Sequence, residues 1–297
     1  LSRVTGIDDG EEQTVLDFGV KKGMNKGLFS NIDLGIGTKG RYAERGMAAY
    51  FNDKFRMMMF GNANNVNDMG FGGGPRGGFG AMRQGLNATK MLGLNLNYNN
   101  GKTLQWDGSM RWNHSDGDQR TKVSTENFVA TQGSYGASLS QAYTRSNSWD
   151  GRFRLEWTPD SNWDVMFRPN ITLTKSDGNT VRTSASYNED PYDYTSSPLD
   201  EEEIAKLDEK GLMVNTQRTT NITYGDATKL NGMLQINRKL GHGGRNITAR
   251  VDAGYDDEDS KTFSTQDLQF FQLANALGDD STYRAYRYNT MPTKSWN

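Results

Sequence analysis

The chain lacks cysteine altogether and holds only two histidines, His114 and His242, among its 297 residues. Disulfides and thiolate metal sites are therefore excluded, and two histidines so far apart in sequence do not make a zinc site. A net charge of −2 leaves no basic surface of the kind that binds nucleic acid. The sequence also contains no nucleophile elbow and no metal-ligand spacing. These absences predict no catalytic residue, no metal, no cofactor and no nucleic-acid partner.

No stretch of the sequence approaches the roughly 20 consecutive apolar residues of a membrane-spanning helix. Apolar residues instead alternate strictly with polar ones in five segments, 104–112, 149–157, 163–173, 230–236 and 247–255. Side chains on a strand point to opposite faces in turn, so each segment predicts a strand with one uncharged face and one polar face.

Two environments select such strands: a soluble sheet packed on a core, and a transmembrane barrel with its apolar side toward lipid. The aromatic residues favour the barrel, because Trp149 and Trp157 bracket one apolar row. Eight residues at roughly 3.3 Å each span about 26 Å, or about 20 Å along the membrane normal at a tilt of about 40°. Trp112, Tyr255 and Tyr98 end other rows, as expected at a membrane interface.

Ten antiparallel strands are predicted along the chain, joined alternately by short turns and long polar outer loops. Short turns are expected at 51–54, 99–102, 159–162 and 241–244, and outer loops at 62–86, 117–143, 177–227 and 257–282. The strands are expected near 28–37, 43–51, 55–62, 88–98, 103–115, 146–158, 163–175, 229–239, 246–256 and 283–290. The predicted fold class is all-β, a partial antiparallel transmembrane β-barrel.

Three loop segments resemble parts of functional sites, but their residues do not support a catalytic, metal or phosphate site. The glycine-rich run at 70–80 lacks the Lys-Ser/Thr of a phosphate-binding loop. The acidic run at 256–259 matches no calcium loop, and we interpret it as a solvated strand end. A loop helix is expected with Ser197 as N-cap, Pro198 at its first position and Gly211 at its end.

Several motifs resemble those of TonB-dependent receptors, in the outer-membrane branch common in Bacteroidetes. Residues 5–12, TGIDDGEE, and 15–23, VLDFGVKKG, look like the last plug strand and the turn before the first barrel strand. Residues 61–65, GNANN, and 154–160, RLEWTPD, are similar to barrel segments of that branch. The resemblance implies a plugged barrel of about 22 strands. Residues 1–26 would then end the plug, and residues 27–297 would form the N-terminal part of the barrel.

The resemblance further implies a location in the cell outer membrane and uptake of a large nutrient, such as a glycan or siderophore, without covalent chemistry. The chain has no initiator methionine, signal peptide or closing strand, so we expect it to be part of a longer protein that supplies the remaining plug. Implied partners are outer-membrane lipid, the TonB complex through that plug, a small-molecule or oligosaccharide ligand, and a surface lipoprotein.

Charged residues on the polar faces are the candidates for binding that ligand in the lumen. They are Asp107, Arg111, Arg152, Arg154, Glu156, Arg168, Arg250 and Asp252. For any one of them a structural role in cross-strand ion pairs is the stronger expectation. Six loop aromatics are further candidates for stacking on sugar rings: Phe71, Phe79, Tyr135, Tyr187, Tyr192 and Tyr194.

Two alternatives remain open from the sequence. One is an outer-membrane receptor or adhesion barrel that does not transport. The other is a secreted β-sandwich that binds glycans, which differs in burying its apolar face within the molecule.

Overall fold

The computed structural model describes residues 26–67, 85–129, 132–241, 244–274 and 280–296. Within them lie ten strands and one α-helix. The strands are β1 (Gly27–Ile36), β2 (Tyr42–Phe51), β3 (Phe55–Asn64), β4 (Leu86–Asn99), β5 (Leu104–Glu126), β6 (Tyr135–Trp157), β7 (Trp163–Tyr187), β8 (Met213–Lys239), β9 (Asn246–Ala274) and β10 (Asp280–Trp296), and the helix is α1 (Glu201–Glu209). No helix in these ranges is long and apolar enough to cross a membrane.

The strands form one sheet in which every strand pairs antiparallel with its neighbours in the sequence, from β1 to β10. The sheet is not closed, since β1 and β10 lie at its two edges. An all-β fold of ten antiparallel strands, consistent with part of a barrel, is therefore confirmed. Most of the expected plug end at 1–26, the glycine-rich run at 70–80 and His242 lie outside the described residues.

The strands on one side of the sheet are much longer than expected from the sequence. β8 has 27 residues and β9 has 29, and their pairing includes Ile222 opposite Phe263, within stretches predicted as outer loops. These stretches are rich in polar residues and lack a regular apolar row, so they resembled loops. Hydrogen bonds to the neighbouring strand, rather than burial of side chains, satisfy the backbone there. The outer loops are consequently the tips of long two-stranded hairpins.

The short turns at the other side of the sheet are held by polar side chains that accept backbone hydrogen bonds. Asn52 Oδ1 accepts from the backbone N–H of Phe55 at 2.8 Å. Asn100 Oδ1 accepts from the backbone N–H groups of Lys102, Thr103 and Leu104, at 2.9 Å each. Asp160 Oδ1 accepts from Asn162 N at 2.7 Å. Such Asx turns reverse the chain in few residues, which confirms the expected short turns at 51–54, 99–102 and 159–162, whereas the turn expected at 241–244 includes residues outside the described ranges.

Most of the buried apolar side chains of the described residues gather at the far end of the β6–β8 hairpins, where α1 packs on the sheet. Their cluster comprises Ala137, Ala185, Tyr187, Leu207, Leu212 and Met213. The helix begins three residues later than expected, with Asp200 as N-cap instead of Ser197. Residues 197–200 instead form a turn, in which Asp200 N donates to Ser197 O at 3.1 Å, and the carbonyl of Pro198 accepts a hydrogen bond from the Tyr187 hydroxyl at 2.7 Å. Gly211, at φ +71°, follows the helix end as expected.

Candidate functional site

The five apolar rows all lie on one face of the sheet, in register with one another. Met110 of β5 faces Gly151 of β6, and Phe167 of β7 faces Leu234 of β8, which in turn faces Val251 of β9. We call the surface formed by these rows the apolar belt. Its side chains are exposed, at 37% for Leu234 and 60% for Val251. Since the described strands form a single sheet, no second layer of strands in these ranges covers the belt.

Aromatic rings border the belt at both ends of its strands. Toward the long hairpins, ring centroids lie 6.1 Å and 4.4 Å apart in the pairs Trp112–Trp149 and Tyr255–Trp296. Toward the short turns, the rings of Tyr98 and Trp106 stack with centroids 5.9 Å apart. Indole and phenol rings combine an apolar body with a polar group, so they suit a boundary between apolar and aqueous surroundings. The belt is thus a band of limited height.

The eight charged candidates occupy the opposite face, which we call the polar face. Across β5 and β6, Asp107 faces Arg154 and Arg111 faces Asp150. Across β8 and β9, Gln235 faces Arg250 and Met233 faces Asp252. The candidates therefore line one wall, as the alternation predicted, and five of them form two separate groups on it.

The first group joins three candidates on β6 and β7. Arg154 Nε donates to Glu156 Oε1 at 3.0 Å, and a terminal guanidinium nitrogen of Arg154 contacts the same oxygen. A guanidinium nitrogen of Arg168 lies 3.9 Å from that oxygen as well. Two guanidinium groups thus share one carboxylate, and a second carboxylate, Asp107, faces Arg154 from β5. Such a group can donate hydrogen bonds to a carboxylate, phosphate or hydroxyl oxygen.

Arg111 and Arg152 lie nearby on the same wall but outside this group. The guanidinium carbon of Arg111 sits 5.9 Å from the centroid of the Phe60 ring, a cation–π contact. Arg152 faces the uncharged Ser109 and Asn170 on the two neighbouring strands. The sequence did not distinguish Arg111 or Arg152 from the other candidates, because only the strand register shows which residues they face.

The second group is an ion pair on β9. Arg250 Nε donates to Asp252 Oδ2 at 2.7 Å and its terminal nitrogen donates to Oδ1 at 2.9 Å. Between the groups lies a recess of about 310 Å³, lined by Arg168, Asn170, Asn231, Met233 and Asp252 among others. This recess brings Arg168 and Asp252, one member of each group, to a common space. Its volume is at the small end for ligand sites.

A further polar cluster, which the sequence analysis did not identify, lies just beyond the aromatic border. His114 contacts Asn147 Oδ1 through Nδ1 at 2.7 Å and Asp116 Oδ2 through Nε2 at 2.9 Å. Arg145 Nε donates to Asp116 Oδ1 at 2.9 Å. Burial raises the pKa of Asp116, but hydrogen bonds from Arg145 and His114 outweigh it, so the pKa lies below its ordinary value. His114 and Asp116 continue the alternation after Trp112, which was the available signal.

The loop aromatics take different environments. Tyr187 is fully buried, and this burial raises the pKa of its hydroxyl, so the idea that it stacks on a ligand is wrong. Tyr135 packs against the same core cluster. Tyr194 lies beside Lys210, whose ammonium is 4.6 Å from the ring centroid, and Tyr192 lies similarly beside Lys122 at 5.0 Å. The remaining two, Phe71 and Phe79, lie outside the described residues.

The acidic run at 256–259 does not converge on one point. Asp256 and Glu258 lie on the polar face near Lys229, whose Nζ is 3.4 Å and 3.7 Å from their carboxylates. Asp257 and Asp259 lie on the other face. Among the described residues, no group of three or more His, Cys, Asp or Glu is arranged to hold a metal ion. The run thus forms surface ion pairs along β9.

Comparison with known proteins gives little beyond the fold. No family model matches the chain, and no curated protein matches it. Among solved structures, the ferric yersiniabactin uptake receptor of Yersinia pestis is similar with a TM-score of 0.23 and 10% identity. That match covers 92% of this chain and 44% of the receptor chain, so this chain spans less than half the receptor's length. A likeness this distant supports no functional argument, and the strand pairing itself carries the fold.

Proposed function

We propose that the chain is part of an outer-membrane β-barrel of the TonB-dependent receptor type, of the branch common in Bacteroidetes, which takes up a large nutrient. No covalent chemistry is required: a ligand binds outer and lumen groups, and movement of a plug opens its path. The plug, the TonB complex and a surface lipoprotein are proposed partners, and the ligand is a glycan, a siderophore or a similar molecule.

The observation that carries the proposal is the uncovered apolar belt between two aromatic borders. A soluble protein rarely exposes contiguous apolar surface on this scale, because water contact with it is unfavourable. From Trp149 to Trp157 the belt measures about 26 Å along β6 and about 20 Å along the membrane normal at the usual tilt. Barrel proteins of outer membranes carry an apolar band about 25 Å tall between aromatic girdles. Lipid is therefore the medium that this face fits.

The polar face supports a water-filled interior. The ion pairs Arg154–Glu156 and Arg250–Asp252 lie directly behind belt residues, with half or more of the Arg250 and Asp252 side chains exposed. Charges at the depth of a bilayer need water or partners, and a hydrated lumen supplies both. The recess beside Arg168 and Asp252 offers a polar ligand charged groups of both signs on this wall.

A second function, surface recognition without transport, is favoured by the long hairpins. β8 and β9 stay paired from the belt residue Tyr255 to Phe270, fifteen residues or about 50 Å. Hairpins of this length present an extended surface outside the membrane. A barrel that only binds or adheres needs these hairpins but no energy-coupled plug.

The test of import uses the organism that carries the gene. Two strains are grown on candidate glycans and iron–siderophore complexes as limiting nutrients. One lacks the full-length gene, and the other lacks both this gene and TonB. We expect both to lose growth on one nutrient, and the parent gene to restore it only when TonB is present. Cell-surface binding of the nutrient that persists with no TonB-dependent uptake would instead favour the second function.

A further inference from the structure

A recess of about 880 Å³ lies between α1 and the hairpin ends of β7 to β10, and we call it the helix recess. Its residues Thr216 and Arg218 alternate in step with Leu234 on β8, so they lie on the side of the sheet opposite to the polar face. From Tyr255 at the aromatic border to Asp267 in the recess, β9 runs twelve residues, or about 40 Å. The helix recess is therefore separate from both the apolar belt and the lumen wall.

The sheet wall of the helix recess carries one row of charged residues. Arg218 of β8 faces Asp267 of β9, which in turn faces Arg284 of β10. Asp267 forms an ion pair with Arg284, between Asp267 Oδ1 and Arg284 Nε. Arg218 is exposed, and it has no hydrogen-bond or ion-pair partner among the residues that the structure describes. The N–H donors of its guanidinium group thus remain for a ligand.

The helix wall of the recess is one side of α1. Four residues line it at positions i, i+3, i+4 and i+7, a spacing that places side chains on one side of a helix: Glu201, Ile204, Ala205 and Asp208. This side is apolar in its middle and acidic at both ends. Leu207, on another side of α1, is buried in the core cluster and holds the helix against the sheet. Glu201 is exposed, and within the described ranges its carboxylate has no partner.

The charges of the lining favour a ligand that carries both signs. Two cations and three anions line the recess: Arg218, Arg284, Glu201, Asp208 and Asp267. A ligand with charge of one sign only would be repelled by several of them. A ligand with one cationic and one anionic group instead pairs with the carboxylate of Glu201 on the helix and the guanidinium of Arg218 on the sheet.

The uncharged part of the lining indicates the body of this ligand. Apolar surface comes from Leu199, Ile204 and Phe271, and hydroxyl groups come from Thr183, Thr216 and Thr282. The volume lies within the range of small-molecule sites, about 300–1,000 Å³, and a single amino acid would leave most of it empty. Amide groups with apolar side chains, between a free amine and a free carboxylate, match this lining. A short peptide has this chemistry.

We propose that the helix recess binds a short peptide with free termini, whose amino group contacts Glu201 and whose carboxylate contacts Arg218. A guanidinium group donates two parallel hydrogen bonds to a carboxylate, and an ammonium group donates to a carboxylate oxygen. Capture of a peptide through its terminal groups is a recurring mode of recognition. The proposal goes beyond uptake through the lumen, because it places a second binding site on the outside of the hairpins.

The test measures binding of the tripeptide alanyl-leucyl-alanine to the full-length protein in detergent, by isothermal titration calorimetry. The N-acetylated and the C-amidated forms of the same tripeptide are titrated in parallel. Each blocked form lacks one terminal charge and its charge-assisted hydrogen bonds. Each should therefore bind at least about tenfold more weakly than the free tripeptide.

Two variants connect each terminus of the tripeptide to one residue. Glu201→Gln should bind the free tripeptide about tenfold more weakly than the parent, and it should bind the free and acetylated forms equally. Arg218→Gln should in the same way lose its preference for the free over the amidated form. A merely distorted recess would weaken binding of all three forms and keep both preferences, so the pattern identifies direct contact.

The matched controls carry the same substitutions outside the recess. Glu202→Gln changes the next residue of α1, and Arg182→Gln changes an arginine on β7 that faces Thr219 on the opposite side of the sheet. Both should bind the three forms like the parent. Absence of saturable binding by the parent, or unchanged preferences in Glu201→Gln and Arg218→Gln, would overturn the peptide site. Because the assay involves neither lipid insertion nor TonB, such a result would leave the proposed function standing.

Discussion

Replacing Leu234 by arginine perturbs the apolar belt at its middle. Leu234 lies between Phe167 and Val251 on the neighbouring strands, with 37% of its surface exposed to whatever medium covers the belt. If that medium is lipid, an arginine at this depth costs roughly 2–4 kcal/mol. At about 1.4 kcal/mol per factor of ten, the folding equilibrium then falls by about 30-fold to several hundredfold. An exposed strand position in water would change by only about 0.5 kcal/mol.

The matched control is Gln235→Arg, one residue further along β8 and on the polar face, opposite Arg250. A hydrated wall tolerates this arginine, although its like-charged neighbour costs a few tenths of a kcal/mol. The assay is reversible unfolding of the full-length protein from phospholipid vesicles in guanidinium, followed by tryptophan fluorescence. A loss of about 2 kcal/mol or more at position 234 with little change at 235 is expected. Equal tolerance of both substitutions would refute the assigned facing.

Three further outcomes follow from contacts outside the belt. Leu207→Ala removes a fully buried side chain from the cluster between α1 and the sheet, and it should destabilise this part of the protein by about 2–5 kcal/mol. The measurement is amide hydrogen exchange, which should become faster in α1 and stay unchanged in the belt. Asn100→Ala leaves three backbone N–H groups of a turn without their acceptor and should cost about 1 kcal/mol in the same unfolding assay. The lowered pKa of Asp116 means that its contacts with Arg145 and His114 stabilise the folded protein, by at most about 1 kcal/mol for so exposed a pair. This stability is present above the ordinary carboxyl pKa and is lost as the pH falls through the pKa of the folded state. Asp116→Asn should remove that pH dependence.

The sequence sufficed for those parts of the fold that depend on local alternation and turn chemistry. Rows such as 149–157 gave the number of strands and their facing, and Asn52, Asn100 and Asp160 gave the short turns. The extension of β8 and β9 beyond the belt was not predictable in this way. Polar stretches such as 213–227 carry no periodic apolar signal, and their strand structure depends on hydrogen bonds to a partner strand far away in sequence.

For the candidate site, too, the sequence predicted what depends on local alternation and missed what depends on strand pairing. Alternation assigned Arg154, Glu156 and Asp252 to the polar face correctly. Which carboxylate each arginine meets depends on the register, so the shared Glu156 and the recess between Arg168 and Asp252 required the pairing of β6 to β9. The helix start at Glu201 was missed because residues 197–200 form a turn, in which Asp200 N donates to Ser197 O and Pro198 O accepts from Tyr187.

The medium that contacts the belt can be measured directly, because this chain contains no cysteine and a single introduced one is unique within it. Leu234→Cys and Gln235→Cys each receive a nitroxide label in the full-length protein inserted in vesicles, and collision with oxygen and with a water-soluble nickel complex is compared. Oxygen, which concentrates in lipid, should relax the label at 234 most strongly, and the nickel complex should relax the label at 235. Equal access of the nickel complex to both positions would contradict a lipid-facing belt.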